Sequence, residues 1–372
     1  MPDRVLHAIA TATIDHRGPD FPALTHEVLE GTRRVFQTEG EVVIYPSSGT
    51  GAWESAFVNT LSPGDRVLAI ETGEFARLWA EVATRLGLVV DVIQTDWRHG
   101  VDPGIVEAKL ATDVSHSIKA VLVVHNETST GVMSRVPLVR EAIDNARHPA
   151  LLLVDAVSSL ASIDLRHDEW GIDVTIAGSQ KGLMLPPGLA LQAISAKAID
   201  AMKSARLPRS YWAWEPMLTL NRAGYFPYTP ATNLLYGLRE SLQMLAEEGL
   251  PAVFARHARL AEATRRAVRA WGLETCALRA DEYSNVVTTV MIPEGHDADH
   301  VRKVILDRFD MSLGTGLGRL KGRAFRLGHL GYFNELMLAG MLCGVEMGLK
   351  ISRVPFDVGG VDAAMEYLAA TE

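Results

Sequence analysis

Short apolar runs alternate with helical stretches through the first half of this chain, and this alternation constrains the fold more than any other feature. Strand-like runs are predicted at 66–70, 88–93, 120–124, 151–155, 174–176 and 189–194, and helices at 74–86, 103–111 and 136–146. Near-continuous apolar strands between helices are typical of a parallel sheet covered on both faces. The sequence therefore predicts an α/β fold with a mainly parallel sheet, whose ligands bind outside the carboxyl ends of the strands.

The character of the chain changes after Pro230. Helices are predicted at 233–247, 252–271 and 334–350, with only two further strands, at 285–292 and 325–328. A chain of 372 residues exceeds the roughly 250–300 residues at which a single core stops growing. We therefore predict a large α/β domain over 1–245, including an N-terminal segment, and a smaller α+β domain over 246–372.

Composition and charge exclude several classes of protein. A hydrophobic content of 48% with 22% charged residues is that of an ordinary globular protein. Apolar runs such as 151–154 are far shorter than the ~18 residues that span a membrane, so no membrane partner is expected. The net charge is −9 without a block of Lys and Arg, which argues against a nucleic-acid partner.

The two cysteines, Cys276 and Cys343, fit no CxxC pairing, and a disulfide scaffold is implausible at this size. They are predicted to be reduced thiols. The first residues lack the apolar stretch of a signal peptide, so the expected location is the cytoplasm. No HExxH motif and no zinc-ligand spacing occurs, so no metal site is predicted.

Two residues with opposite charges follow neighbouring predicted strands. Asp155 ends the apolar run 151–154, and Lys181 follows the run 174–176 within a setting rich in glycine and proline. An apolar setting lowers the pKa of a lysine towards reactivity, although a solvated loop lysine is the common alternative. A lysine that forms a Schiff base and a carboxylate that keeps a pyridine nitrogen protonated are the two main groups of a pyridoxal 5′-phosphate enzyme.

The segment 45–54 is a turn of small residues that leads into an apolar helix. Glycine allows close approach of the backbone to an anion, and a helix N-terminus offers free N–H groups. Ser48 and Thr50, on either side of Gly49, add hydroxyl donors. An N-capped turn without a ligand is the alternative.

Other candidate groups also lie next to predicted strands. Phe75, at the start of a helix, could stack on a flat ring or belong to the core. Thr128, in the polar run 125–131, could bond a phenolic oxygen, or the run could be a loop with a helix cap. Arg326 suits a substrate carboxylate, or it faces water from an edge strand. The glycines of 314–318 precede no helix pattern and are predicted to form a flexible turn.

Six segments taken in chain order resemble the class V aminotransferases of pyridoxal phosphate fold type I, and are most similar to serine–glyoxylate and alanine–glyoxylate aminotransferases. The segments are SSGTGAWE, HNETSTGV, VDAVSSL, GSQKG, FPYTPATNLLYGLRESL and FRLGHLG. The resemblance runs from about Asp15 to Leu349. It implies transamination of a small L-amino acid, with serine as the expected donor and glyoxylate as the acceptor, giving hydroxypyruvate and glycine.

The resemblance also implies a role for each site residue. Lys181 would form the Schiff base and move the substrate proton, Asp155 would pair with the ring nitrogen, and Arg326 would bind the substrate carboxylate. The cofactor would be held by Ser48, Gly49, Thr50, Phe75, Thr128, Asp155, Val157, Gln180, Lys181 and Thr229 of the partner subunit. The expected active unit is therefore a homodimer, with a tetramer as the alternative.

Several alternatives remain open at this level. Aspartate or alanine could be the donor to glyoxylate, and alanine could pair with pyruvate. A class V lyase or cysteine desulfurase would need a catalytic cysteine on a mobile loop, and a non-catalytic oligomer would keep only the fold.

The chain departs from the family pattern at two places. Phe226 stands where relatives often have a tyrosine that completes the phosphate contact between subunits, leaving Tyr225 and Tyr228 as substitutes. Relatives also carry a Pro-Gly-Pro-Thr segment ahead of the position of Pro2, so we expect either a start further upstream or a pocket built differently.

Overall fold

The computed structural model of the protein describes residues 1–371. Its helices are α1 (Asp3–Ile9), α2 (Phe21–Phe36), α3 (Gly49–Thr60), α4 (Glu74–Arg85), α5 (Pro103–Ala111), α6 (Val136–Asn145), α7 (Ala196–Ser204), α8 (Trp214–Arg222), α9 (Thr232–Glu248), α10 (Leu250–Ala270), α11 (Ala298–Phe309), α12 (Glu335–Ile351) and α13 (Gly360–Ala370). Short 3-10 turns cover Ala280–Glu282 and Gly318–Leu320.

The strands form one large sheet, one small sheet and a short hairpin. They are β1 (Glu41–Ser47), β2 (Arg66–Glu71), β3 (Val89–Gln94), β4 (Ile118–Val124), β5 (Asn126–Glu127), β6 (Val132–Met133), β7 (Leu151–Asp155), β8 (Val174–Gly178), β9 (Gly188–Ile194), β10 (Glu274–Thr275), β11 (Val287–Met291), β12 (Gly314–Thr315) and β13 (Ala324–Gly328). The hairpin pairs β5 with β6.

The large sheet has the order β1-β9-β8-β7-β4-β2-β3. Neighbours from β8 to β3 are parallel, which confirms the mainly parallel sheet, whereas β9 runs antiparallel to both β8 and β1. The segment 179–187 between β8 and β9 contains no helix. A parallel connection needs a crossover of a dozen or more residues, so this short link reverses the chain.

Side chains of the central strands alternate between two hydrophobic cores. Leu152 and Val154 of β7 belong to the core on one face, whereas Leu151 and Leu153 belong to the core on the other. Successive residues of a strand point to opposite faces, so a strand apolar at every position must be covered on both sides. Residues of α2 and α9 pack against the strands in the first core, and residues of α3 and α4 pack against them in the second core.

The small sheet has the order β10-β11-β13-β12 and is antiparallel throughout. Residues from α10, α11, α12 and α13 pack against it in a separate hydrophobic core. The predicted boundary after residue 245 falls inside α9, which continues to Glu248. The division into two domains at that point stays a prediction.

Sequence periodicity located most elements within a few residues but not all of them. The elements that were not predicted include helices α1, α2, α7, α8, α11 and α13 and strand β1. For β1 a signal was present, because the run Val42-Val43-Ile44-Tyr45 is β-branched and aromatic, as strands are. The prediction of a flexible turn at 314–318 was wrong at its start, because Gly314–Thr315 pairs with β13 as strand β12. None of the helices in residues 1–371 combines the length and the apolar character that a membrane span requires.

The double-sided packing of β7 yields a test of stability. Leu153 is 0% exposed, so Leu153→Ala should lower the free energy of unfolding by about 2–5 kcal/mol through lost burial and the cavity left behind. Val114 is 86% exposed, so the free energy of unfolding of Val114→Ala should stay within about 0.5 kcal/mol of the parent. Urea unfolding measures both, and equal midpoints would contradict the packing described.

Candidate active site

The carboxyl ends of β4, β7 and β8 lie side by side in the large sheet, because these strands are parallel neighbours. A cavity of about 250 Å³ lies at this edge. Its lining contains every predicted cofactor residue except Thr229, together with Trp53, Val124 and Asn126: Ser48, Gly49, Thr50, Phe75, Thr128, Asp155, Val157, Gln180 and Lys181. Residues that are up to 133 positions apart (181 − 48) thus meet in one cleft.

Asp155, the last residue of β7, is buried and holds two hydrogen bonds. Trp53 Nε1 donates to its Oδ2 over 2.7 Å, and the backbone N–H of Val157 donates to its Oδ1 over 2.8 Å. Burial raises the pKa of Asp155 to about 7, while the two hydrogen bonds oppose that rise. A cation facing this carboxyl group would favour its ionised form.

Trp53 lines the same cavity, although it was not among the residues predicted for the site. It lies in the first turns of α3, and its ring stacks on Trp79, which in turn stacks on Phe57. The stack fixes the indole so that its N–H reaches Asp155. The signal was present in the motif SSGTGAWE, but which way its tryptophan points depends on how α3 packs on the sheet.

Lys181 is half-buried and lines the same cavity. Burial lowers the pKa of its amine, the positive charge of Arg326 lowers it further, and Asp155 acts in the opposite direction. The three groups therefore share one electrostatic environment. Lys181 is therefore not a solvated loop lysine. Because its pKa is lowered, a larger fraction of its amine is neutral and nucleophilic than in an exposed lysine.

The N-terminus of α3 faces the cavity, which Ser48, Gly49 and Thr50 line, whereas the N–H groups of Gly51 and Ala52 donate to the carbonyl of Ser48. Ser48 is the N-cap residue, but its side chain makes no capping hydrogen bond. A Cβ on Gly49 would come within 2.5 Å of Val157 Cγ2, so only glycine allows the helix to begin this close to the strand end. Gln180 Oε1 is buried and has no partner among residues 1–371, and the amide can turn to present its NH₂ group instead. Together these groups fit a phosphate.

Some residues of the polar run 125–131 cap a helix, whereas others line the cavity. The buried carboxylate of Glu127 accepts from the backbone N–H groups of Phe75 and Ala76, over 3.4 and 3.1 Å. Ser129 Oγ accepts from the N–H of Glu74 over 3.0 Å. These residues cap α4 and hold Phe75 at the cavity wall.

Other residues of the same run face the cavity. Thr128 Oγ1 donates to Ser158 Oγ over 2.8 Å, and Asn126 Nδ2 donates to the same oxygen over 2.8 Å. Asn126 Oδ1 is buried, and within the described chain it has no partner. A cofactor with a polar ring substituent would give that atom one. Asn126 and Ser158 were not singled out from the sequence, although both lie inside quoted motifs.

Arg326 lies on β13, an inner strand of the small sheet, so the alternative of an edge-strand arginine facing water was wrong. Its Nε donates to the carbonyl of Thr315 over 2.8 Å, and its Nη1 donates to the carbonyl of Thr128 over 2.9 Å. Burial lowers the pKa of the guanidinium. The glycine-rich segment that begins at Gly314 is thus the strand that orients this side chain. The Nη2 group, for which no hydrogen bond is found within residues 1–371, can bind a carboxylate.

A second cavity of about 540 Å³ lies between the two sheets and shares Thr128 and Lys181 with the first. Arg326 lines it, and most of the remaining wall is apolar: Val286, Val287, Met311, Leu313, Leu330, Phe333, Met337 and Met341. The amine of Lys181 thus lies between the cavity whose donors fit a phosphate and the cavity lined by the guanidinium of Arg326. This suits a cofactor on one side and a small amino acid on the other.

Three predicted residues or groups lie away from these cavities. Thr229 is exposed and does not line either cavity of its own chain, so its contact with a cofactor in a partner subunit stays a prediction. Phe226 packs edge-on against Phe21, and the Tyr228 hydroxyl donates to the carbonyl of Tyr211 over 2.6 Å. Cys276 is buried, which raises the pKa of its thiol to about 11, and it lines neither cavity.

A lysine and a buried carboxylate at the carboxyl edge of this sheet, beside an uncapped helix N-terminus, are the site of a fold type I pyridoxal 5′-phosphate enzyme. The family model of the class V aminotransferases matches residues 6–317. The chain belongs to the class V aminotransferase family, whose cofactor is pyridoxal 5′-phosphate.

Similar proteins agree with this assignment. The chain is 50% identical to the serine–glyoxylate aminotransferase of Methylorubrum extorquens, over 99% of this chain and 93% of that one. It is 45% identical to the L-aspartate–glyoxylate aminotransferase of Paracoccus denitrificans, over 100% and 94% of the two chains. The crystal structure of pyridoxamine–pyruvate aminotransferase from Mesorhizobium loti superimposes with a TM-score of 0.92 at 26% identity, covering 100% of this chain and 94% of that one.

The hydrogen bond from Trp53 to Asp155 can be tested with a matched pair of variants. Trp53→Phe should weaken pyridoxal phosphate binding by up to about tenfold, because the lost hydrogen bond, of about 1.5–3 kcal/mol to a charged group, favours the ionised Asp155 that would pair with the ring nitrogen. Trp79→Phe is the control, because Trp79 lies in the same stack and its buried N–H has no partner in the described chain. The measurement is the dissociation constant of pyridoxal phosphate for each variant. Equal losses of affinity in the two variants would contradict the role of Trp53.

The raised pKa of Asp155 predicts how stability depends on pH in the cofactor-free protein. The folded chain holds a proton there between the ordinary pKa of 3.8 and about 7, whereas the unfolded chain has released it. The contribution of Asp155 to the free energy of unfolding therefore falls through this interval as pH rises. Asp155→Asn lacks the titration, so its stability relative to the wild type should increase with pH. Urea unfolding across the interval measures the difference, and a constant difference would refute it.

Proposed function

We propose that this protein transfers the amino group of L-serine to glyoxylate, giving hydroxypyruvate and glycine. The observation that carries the proposal is the joint placement of Lys181, Asp155 and Arg326 around two adjoining cavities. The similarity to serine–glyoxylate aminotransferases supports the choice of substrates.

Pyridoxal 5′-phosphate, when bound, supplies an aldehyde that takes up the amino group and a ring that withdraws electrons. The N–H groups at the start of α3, with Ser48, Thr50 and the Gln180 amide, would hold its phosphate. Asp155 would face the ring nitrogen, and Thr128 the ring hydroxyl. The face of Phe75 would lie against the ring.

The remaining steps belong to residues that act on the substrate. Arg326, held by two backbone carbonyls, would bind the α-carboxylate and fix the orientation of the Cα–H bond. The amine of Lys181, whose pKa is lowered, would remove that proton and return it at the other end of the transfer. The apolar walls of the larger cavity would reduce the access of water to the reacting atoms.

Aspartate is the second candidate donor, since an L-aspartate–glyoxylate aminotransferase is also a similar protein. An aspartate side chain would carry a second carboxylate into the cavity. Among the described residues that line the two cavities, Lys181 and Arg326 are the cations, and both already have roles. A second buried carboxylate would lack a partner and would cost several kcal/mol, which favours the neutral serine.

We further propose that the protein acts as a homodimer in the cytoplasm. The exposed position of Thr229, just before the start of α9, suits a residue that completes the phosphate site of a partner subunit. Dimerisation would also enclose cavities that a single chain leaves open.

A donor screen on the holoenzyme tests the proposal. Amino acids are mixed with the enzyme and glyoxylate, and keto acid and glycine are measured. Serine should exceed aspartate at least about tenfold in kcat/KM, because the aspartate side chain would be buried unpaired.

Lys181→Ala should abolish the absorption band of the lysine-bound cofactor and lower turnover by orders of magnitude. Lys203→Ala, whose side chain is 70% exposed, is the control and should behave like the parent. Preference for aspartate would overturn the choice of donor, and full activity of Lys181→Ala would overturn the mechanism.

A further inference from the structure

The loop 328–333, which runs from the last residue of β13 towards α12, forms part of the wall of the larger cavity. Leu330 and Phe333 line that cavity. Between them Gly331, with φ +73°, lies behind Lys181: a Cβ at that position would be 3.4 Å from the carbonyl oxygen of Lys181. The loop thus touches both the space for the substrate and the backbone of the reactive lysine.

Two consecutive residues of α10 hold this loop from outside the cavity. The N–H of Gly331 donates to His257 Nε2 over 3.0 Å. Arg256 Nη1 donates to the carbonyls of Gly331 and Phe333, over 2.9 and 3.3 Å. The Nε and Nη2 groups of Arg256 donate to the carboxylate of Glu248, at the end of α9, over 2.7 and 2.9 Å. Neither Arg256 nor His257 lines the cavity.

The contacts of His257 determine which ring nitrogen carries the proton. The ring is fully buried, and its Nδ1 lies 2.7 Å from the carbonyl oxygen of Val253, which only accepts. Nδ1 is therefore the N–H donor, and Nε2 has the free lone pair that accepts from Gly331. Burial also lowers the pKa of His257 to about 4, so this neutral form persists at neutral pH.

We propose that His257 and Arg256 are positioning residues that hold the loop 328–333 against Lys181 and so fix the side of the cavity that receives the donor amino acid. Both backbone polar groups of Gly331 are held, its N–H by the imidazole of His257 and its carbonyl by the guanidinium of Arg256. Leu330 and Phe333, on either side, therefore present a fixed apolar wall. This inference rests on the proposed function, because its kinetic probe is an amino donor.

Two substitutions at one position separate the hydrogen bond from the presence of the ring. In His257→Asn the short amide can replace Nδ1 but does not reach Gly331, whereas in His257→Gln the longer side chain places an oxygen near the position of Nε2. Loss of a hydrogen bond of about 1 kcal/mol corresponds to a roughly fivefold change. We expect His257→Asn to raise KM for the donor about fivefold with kcat and cofactor affinity within about twofold, and His257→Gln to restore KM.

Two further variants serve as controls. His167 is also fully buried, with Nδ1 2.7 Å from Thr175 Oγ1, but it lines neither cavity, so His167→Asn should lower stability without changing KM. Arg256→Lys keeps the charge but loses the forked donor, and it should raise KM in the same direction as His257→Asn. If His257→Asn does not fold, the result for Arg256→Lys decides.

Hydrogen exchange gives a readout that does not depend on turnover. Amides of the loop 328–333 should exchange faster in His257→Asn than in the parent, and unchanged in His167→Asn. An unchanged KM and unchanged exchange in His257→Asn would overturn the inference, as would failure of His257→Gln to restore either. A parent enzyme that uses no serine would refute the proposed function instead, and loop exchange would still report on the positioning contact.

Discussion

The burial of one carboxyl group at the end of β7 is the constraint on which the rest of the site depends. A buried carboxylate without partners is costly, and Asp155 is tolerated because Trp53 and the backbone of Val157 donate to it. The raised pKa shows that these two bonds do not fully offset desolvation. A cationic ring nitrogen would offset the remaining desolvation cost of the carboxylate. The burial that makes the ionised Asp155 unfavourable in the empty site therefore favours a cofactor whose ring is protonated.

The second constraint is the connection between the two sheets. Arg326 belongs to the small sheet, yet its guanidinium donates to the carbonyl of Thr128, in the β5–β6 hairpin that follows strand β4 of the large sheet. The loop after β13 makes a second connection where Gly331 lies behind Lys181. The substrate cavity is therefore bounded by contacts between segments that follow strands of different sheets. Its shape depends on how these sheets are packed together.

Much of the fold and part of the site could be predicted because they follow from local patterns. Strand ends were located by the apolar runs, and carboxyl ends of neighbouring parallel strands meet at one edge. This is why Asp155 and Lys181 were predicted to lie together. The reversal at β9 could not be predicted in this way, because its apolar run looks like that of a parallel strand. Only the short link after β8, with no helix in it, distinguishes the two directions.

The amino-acid sequence by itself determined the alternation of elements, the edge where polar groups gather, and the family to which the chain belongs. Only the tertiary structure decided which side chains support those groups. Trp53 reaches Asp155 across 102 positions, and Arg326 reaches Thr128 across 198. The physical reason is that periodicity sets the face on which a side chain lies, whereas the partner it meets depends on how separate elements pack. The hydrogen bond between the N–H of Gly331 and the imidazole of His257 also depends on how separate elements pack.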